Sequence, residues 1–239
     1  MQKLFVDFIP EEKIILNEEQ SRHIAKALRM RVGDNLTLAC GDGFDYGCVI
    51  DTITADSVTL SVCSKQANIS EPDVKVSLYQ GVPKGDKMED IIQKCTELGI
   101  YEVTPTLTHR CVSRPDGKSA EKKNARYQKI ALEAAQQSGR GIVPAVNRMT
   151  SLENAVKNDT AELKIVFYEG GGEKLSPQLL GNAHSISIYI GSEGGFEESE
   201  VELIKSNGGV AASLGARILR TQTAPVAALT AIMLLTDNM

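Results

Sequence analysis

The chain has 239 residues, of which 42% are hydrophobic, 24% charged and only 5% aromatic, with no Trp. This is ordinary globular composition, long enough for one large domain or two modest ones, and the scarcity of rings excludes a binder that works mainly by stacking bases. Lys and Arg number 26 against 31 Asp and Glu, a net charge of −5, so a nucleic-acid partner has to be met by a local patch rather than by bulk charge.

The opening MQKLFVDFIPEEK is too poor in apolar residues for a signal-peptide core, and it holds a short strand candidate over Leu4–Ile9. A helix is expected from Glu18 to Met30, capped by Asn17. Asn35–Ala39, Tyr46–Ile53 and Ser57–Val62 alternate polar and apolar residues around the turn cluster Gly41-Asp42-Gly43, the pattern of a small barrel or sandwich. The polar run Ser64–Asp73 reads as a linker. Strand and helix then alternate. Strands are expected at 74–80, 101–108, 163–168, 185–190 and 210–214, and helices at 86–98, 120–137, 197–206 and 223–235, with Thr223 as N-cap of the last. Such alternation predicts a mostly parallel sheet covered by helices, with chemistry at the carboxyl ends of its strands. The longest apolar stretch, Ala224–Leu235, has 12 residues including a Pro, whereas a span needs about 20, so no membrane partner is expected. The five cysteines form no CxxC pair and the three His are scattered, so neither a zinc site nor a disulfide framework is expected; the thiols read as reduced, buried filler in a cytoplasmic protein.

Strand SISIYI runs straight into Gly191-Ser192-Glu193-Gly194-Gly195-Phe196, followed by Glu197, Glu198, Glu200 and Glu202. A strand, a glycine turn and a helix invite a phosphate, yet acidic side chains already occupy the positive helix end and repel one. The loop is either a tight turn before an acid-capped helix or a site for a ligand that lacks phosphate or carries positive charge. A second loop, Gly215-Ala216-Arg217-Ile218-Leu219-Arg220-Thr221-Gln222-Thr223, brackets two apolar residues with two arginines. Either Ile218 and Leu219 pack inward beneath solvated arginines, or the loop cradles a flat ligand while the arginines reach an anion. Tyr168-Glu169-Gly170-Gly171-Gly172 ends a third strand in the same manner.

GSEGGF at 191–196 and SLGARILRTQTAPVAAL at 213–229 resemble the two cofactor-loop motifs of the SPOUT class of RNA methyltransferases, and are most similar to those of the RsmE family. IIQKCTELGI (91–100), TPTLTHRCVSR (104–114), EAAQQSGR (133–140) and HIAKALRMRVGD (23–34) extend the resemblance over nearly the whole chain. Departures are Gln136, where Glu is frequent, and Ser192, where Pro is common. The resemblance implies an α/β fold: a PUA-like RNA-binding β-barrel over 1–68, then a SPOUT domain over 73–239 with a mostly parallel sheet and a trefoil knot. It implies a homodimer that uses S-adenosyl-L-methionine to methylate N3 of a uridine in 16S ribosomal RNA of the small ribosomal subunit, without metal. A phosphate-free sulfonium donor suits the acidic glycine loop. The cofactor-binding residues expected on this basis are Gly191, Ser192, Glu193, Gly194, Gly195, Ser213, Leu214, Gly215, Ile218, Leu219 and Thr223.

For RNA, His109–Lys129 carries seven cations against two carboxylates, and Arg22, Lys26 and Arg29 recur at the spacing of one helical face. Arg22, Lys26, Arg29, Lys84, Arg110 and Arg114 are the expected phosphate contacts, unless these runs are plain solvated surface. For catalysis, uridine N3 must lose its proton, and Arg220, then Arg217, are expected to stabilise the resulting anion. Glu193 is the first candidate base, ahead of Glu97 and His109, or else it orders its loop. The apolar closing helix is expected to line a homodimer contact or the cofactor pocket. Two other readings compete: a related methyltransferase for another RNA position, and a non-catalytic RNA-binding or ribosome-assembly protein.

Overall fold

A computed structural model describes residues 2–54 and 56–239 and divides into two units, the chain up to Glu71 with Ala135–Val143, and Pro72–Ala134 with Pro144–Met239. In the first unit β1 (Gln2–Phe5) and β2 (Lys13–Ile15) precede α1 (Glu18–Arg22), followed by β3 (Asn35–Ala39), β4 (Phe44–Ile53) and β5 (Val58–Ala67). They form a sheet in the order β1-β3-β4-β5-β2, antiparallel except for the β1–β3 pair. Two-residue alternation sends Leu36, Leu38, Tyr46, Cys48, Ile50, Val58 and Leu60 to one face, where Ile24 joins them in the core.

The element boundaries differ from expectation where side-chain pattern and backbone pairing disagree. The first strand stops at Phe5, and Phe8 and Ile9 are exposed. β5 runs on to Ala67 through the polar residues read as linker, because its ladder to β4 (Phe44 opposite Ala67) needs backbone groups only. Asn17 caps α1 in a reciprocal box: Gln20 N donates to its Oδ1 at 2.9 Å, and Asn17 N donates to Gln20 Oε1 at 3.3 Å. The α-helix ends at Arg22 and continues as one π turn over His23–Ala27, after which Arg29 takes φ +53°. The extra residue per turn breaks the register that would align Arg22, Lys26 and Arg29, and Arg22 pairs with Glu18. These three cations therefore do not form one helical face.

Residues 135–143 join the first unit through Glu71. Its carboxylate accepts from Arg140 Nη2 at 2.6 Å, Arg140 Nε at 3.1 Å, Gly141 N at 2.7 Å and Ile142 N at 3.2 Å. Burial alone raises the Glu71 pKa, but the Arg140 hydrogen bond and charge, with the two amides, hold it below the ordinary value. Lys3, itself buried, donates to Asp45 at 2.8 Å and to the carbonyls of Gly139 and Arg140 at 2.9 and 3.0 Å.

In the second unit the elements run β6 (Lys75–Gly81), α2 (Lys87–Glu97), β7 (Glu102–Leu107), α3 (Gly117–Ser138, its last turn in the first unit), β8 (Ala145–Val146), β9 (Thr150–Ser151) and α4 (Leu152–Asn158). Then follow β10 (Leu163–Phe167), β11 (Glu173–Lys174), α5 (Pro177–Leu180), β12 (Ser185–Ile190), α6 (Glu198–Ser206), β13 (Gly209–Ser213) and α7 (Ala224–Leu235). The sheet is parallel throughout, ordered β11-β13-β10-β12-β6-β7-β8, with β9 also on β7. Central β12 is buried from Ile186 to Ile190, as a strand covered on both faces must be. The short α4, unforeseen because only three of its residues are buried, is capped by Ser151 and packs Leu152 and Val156 against Val166, Tyr189 and Ile204. Among the described residues no helix is long and apolar enough to cross a membrane.

Candidate functional site

Because the strands are parallel, the loops after β6, β10, β12 and β13 emerge at one end of the sheet. A buried side chain ties three of them. Gln80, fully enclosed at the end of β6, donates from Nε2 to the Gly81 carbonyl at 3.0 Å and the Gly191 carbonyl at 3.2 Å, and lies 3.1 Å from Thr221 Oγ1. Thr221 Oγ1 in turn donates to the Gly191 carbonyl at 2.9 Å. Segments 80–81, 191 and 221 are thus clamped together, far apart though they are in sequence. The approach demands glycine: a Cβ on Gly81 would lie 2.5 Å from Ser192 N, and one on Gly191 would lie 2.9 Å from Gly195 Cα.

The bend 191–196 closes on itself through Gly195 N donating to the Ser192 carbonyl at 3.0 Å, with Gly195 at φ +67°. Its acid is committed. Glu193 accepts from Lys87 Nζ at 2.6 Å and from the Lys84 amide at 3.1 Å. Burial raises its pKa, but the Lys87 hydrogen bond, the backbone donors and the Lys87 charge outweigh this and hold it below the ordinary carboxylate value. A carboxylate so stabilised is a poor proton acceptor, and its geometry is that of a latch between the bend and the start of α2. The following helix is acid-capped as expected: Glu197 and Glu200 form a capping box, and His109 Nδ1 lies 2.9 Å from Glu197 Oε1. His109 N also donates to Glu200 Oε1 at 2.8 Å. His109 is spent on that helix, and Glu97 accepts from Gln93 on α2.

Two cavities open around these loops. One of about 290 Å³ is lined by Lys87, Ser192, Glu193, Gly195, Arg220 and Gln222 among others, and one of about 200 Å³ by Phe167, Tyr168, Ser213, Leu214, Gly215 and Arg217 among others. Glu169, Ile218 and Leu219 line both. Ile218 is 86% exposed, so it does not pack inward; it forms part of an open apolar wall. Arg217 and Arg220 are exposed, and among the described residues their guanidinium groups make no hydrogen bond or ion pair. Gly215 sits at φ +106°, and a Cβ there would meet no protein atom within 4 Å. Thr223 does not cap α7 with its side chain; the turn is closed by Thr223 N and Ala224 N donating to the Arg220 carbonyl at 2.8 and 2.9 Å. Ser192 is buried with its Oγ lacking any partner, an unused polar atom in the cavity wall.

The expected RNA contacts separate into two groups. Arg110 Nη1 donates to the Gly194 carbonyl at 3.0 Å, and Arg114 Nη2 to the Thr108 carbonyl at 2.7 Å, so both serve the architecture of the loops. Arg126 pairs with Glu89 at 2.7 Å. The exposed side chains of Lys26, Arg29, Lys84, Lys118 and Lys122 make no such bond among the described residues. Of the cysteines, Cys48 is pushed up to about 11 and Cys95 to about 12 by burial, which suits inert packing. The sequence assigns no site role to Gln80, Glu169 or Thr221, and it marks Lys87 only as a surface cation. Glu169 and Thr221 sit in loops already singled out, whereas nothing local marks Gln80, which only the fold brings to Thr221.

Comparison with known proteins bears on this architecture. Residues 70–233 match the model of an RNA methyltransferase domain, and residues 16–63 that of an RNA methyltransferase PUA domain. The chain is 35% identical to the ribosomal RNA small subunit methyltransferase E of Bacillus subtilis, over 99% of this chain and 98% of that one. Among solved structures, the ribosomal RNA small subunit methyltransferase E of Neisseria gonorrhoeae bound to S-adenosyl methionine superposes with a TM-score of 0.90 at 29% identity, covering 98% of each chain. A methyltransferase of Legionella pneumophila in complex with the same cofactor gives 0.87 at 28% identity, covering 97% of this chain and 96% of that one. With its PUA-type first domain, its parallel-sheet second domain and its full-length likeness to these proteins, the chain belongs to the ribosomal RNA small subunit methyltransferase E family.

Proposed function

We propose that the protein is an S-adenosyl-L-methionine-dependent methyltransferase that methylates N3 of a uridine in 16S ribosomal RNA, acting as a cytoplasmic homodimer on the small ribosomal subunit. The observation that carries this reading is the pair of cavities walled by the bend 191–195 and the loop 213–222, with two unpaired guanidinium groups at their edge. The walls fit a phosphate-free donor. Lys87, the lysine in the lining, is spent on Glu193, and the buried Ser192 hydroxyl and the open side of Gly215 face no protein partner. When bound, S-adenosyl-L-methionine supplies an already activated methyl group.

The chain's own groups then position and stabilise. Backbone of Gly191, Ser192, Gly194, Gly195, Ser213, Leu214 and Gly215, with the side chains of Ile218 and Leu219, shapes the donor's seat. The Gln80–Gly191–Thr221 clamp keeps the bend and the loop at a fixed separation, so that donor and acceptor meet in one geometry. Arg220, with Arg217 beside it, stabilises the negative charge on the O2–N3–O4 edge once the N3 proton has passed to solvent water at this open site. Glu193 is a positioning residue, given its bonds to Lys87 and the Lys84 amide. Lys26, Arg29, Lys84, Lys118 and Lys122 contact RNA phosphates.

The same reading includes a trefoil threading of the loop after β13 and a dimer contact on α7. Its support is the resemblance, together with an α7 that buries Ala228, Leu229, Ile232 and Met233 while Leu234 stays 60% exposed. Mass mapping of 16S ribosomal RNA from cells lacking the protein tests the function. Loss of N3-methyluridine, restored by incubating small-subunit particles with the purified protein and donor, is expected. Intact N3-methyluridine would sink the assignment, and a different missing methyl group would move it to another RNA position.

A further inference from the structure

Glu169 stands where the two cavities meet, lining both, and its exposed carboxylate has no hydrogen bond or ion pair among the described residues. This sets it apart from Glu193, the other carboxylate of the lining, which Lys87 neutralises. Glu169 also leans on the bend itself: a Cβ added to Gly195 would run into its carboxylate, so glycine at 195, already at φ +67°, makes room for this group. The lining thus keeps one carboxylate with no bonded counter-ion among the described residues, beside the exposed Ile218 side chain and Leu219, with the Arg217 and Arg220 guanidinium groups at the cavity edge.

We infer that Glu169 is the residue that distinguishes the charged methyl donor from its neutral product. The inference rests on the donor-site reading above. A sulfonium cation in the shared region of the two cavities faces a carboxylate that no side chain holds, and the attraction grows as the ligand displaces water from around the pair. Methyl transfer moves the sulfur's positive charge away with the methyl group, as the carbon–sulfur bond breaks and the new nitrogen–carbon bond forms. What remains is a neutral thioether that Glu169 does not hold. The site is thereby biased toward capture of the donor and release of the product, without any movement of the protein. Glu169 touches the donor without taking part in bond making, so its signature is a ratio of affinities.

Calorimetry on the full chain with S-adenosylmethionine and with S-adenosylhomocysteine tests this. Glu169→Gln is expected to weaken the sulfonium ligand about fivefold more than the thioether, and the difference is expected to shrink as salt is raised. Glu169→Asp keeps the charge and is expected to keep most of the selectivity. Equal weakening of both ligands in Glu169→Gln, or no change in either, would overturn the inference while leaving the donor site standing. Failure of the unaltered protein to bind either ligand would instead overturn the donor-site reading, and this inference with it. Because Glu169 is exposed and unpaired, ligand-free Glu169→Gln is expected to melt with the unaltered protein; a large fall in Tm would show a structural role and count against the inference.

Discussion

Arg220 has an exposed guanidinium with nothing in the protein to hold it, while its carbonyl closes the turn into α7. Its side chain is therefore free to serve an anion, and its removal leaves the fold's hydrogen bonds intact. Arg220→Ala is expected to bind S-adenosylhomocysteine within a few-fold of the unaltered protein, yet to lower turnover by about 10²–10³. Equal turnover would remove Arg220 from the chemistry. Gly215 presents a different case. At φ +106° a side chain is strained even though it has room, so Gly215→Val is expected to cost about 1–3 kcal/mol of loop distortion. Binding of S-adenosylhomocysteine, followed by calorimetry, is expected to fall with it; tight binding by that variant would place the donor elsewhere.

At the scale of elements, residues 135–143 are held in the first unit by the Glu71 carboxylate together with Lys3, which donates to the Gly139 and Arg140 carbonyls. Glu71 accepts two hydrogen bonds from the buried Arg140 guanidinium and two from backbone amides, so Glu71→Gln removes one charge of a buried ion pair and is expected to cost about 3 kcal/mol. Urea unfolding with hydrogen exchange over 135–143 would detect it, and unchanged protection there would contradict the account. The pH dependence has a definite sign. The Glu71 pKa is depressed in the fold, so its contribution is fully present above the ordinary value of 4.5 and is lost as pH falls through the lower folded value. The unaltered protein is thus expected to lose stability with acid more steeply than Glu71→Gln below about pH 4.5, a difference that melts at several pH values would show.

Over the molecule as a whole, α7 serves both the interior and the surface. It packs on α2, β6 and β12, so deleting everything after Arg220 would strip the core and could not isolate an interface. Substituting its exposed end is the cleaner experiment. Replacing Leu234 and Leu235 together by Asp is expected to leave the Tm of the second unit within a few degrees and to convert the proposed dimer to monomer in sedimentation. A monomeric unaltered protein would refute the dimer. The cations that remain free also predict that small-subunit binding weakens with salt, and that each Lys→Ala among Lys84, Lys118 and Lys122 lowers the slope of log affinity against log salt by roughly one.

Strands with strong alternation or full burial, such as Asn35–Ala39 and Ser185–Ile190, are found where their side-chain pattern places them, because period two is written locally. The helices at 87–97 and 198–206 likewise end within a residue or two of expectation, and the acid-capped entry to α6 follows from Glu197 and Glu200 alone. Less legible were α4, too short to show a period, and the tail of β5, whose pairing is carried by backbone groups common to every residue. The π turn after α1 was also hidden, since one inserted residue leaves composition untouched while rotating every later side chain.

What the sequence determined by itself, then, was the alternation of elements, the two glycine loops with their acids and arginines, and the kind of ligand those charges favour. Which charges remain available was decided only by tertiary structure. Glu193 and Arg110 are consumed by partners far away in the chain and Arg114 by the carbonyl of nearby Thr108, while Glu169 and Arg220 are left unpaired at the cavities. The reason is physical: a side chain's type depends on its codon, but its electrostatic state depends on which groups the fold brings within a few ångströms of it.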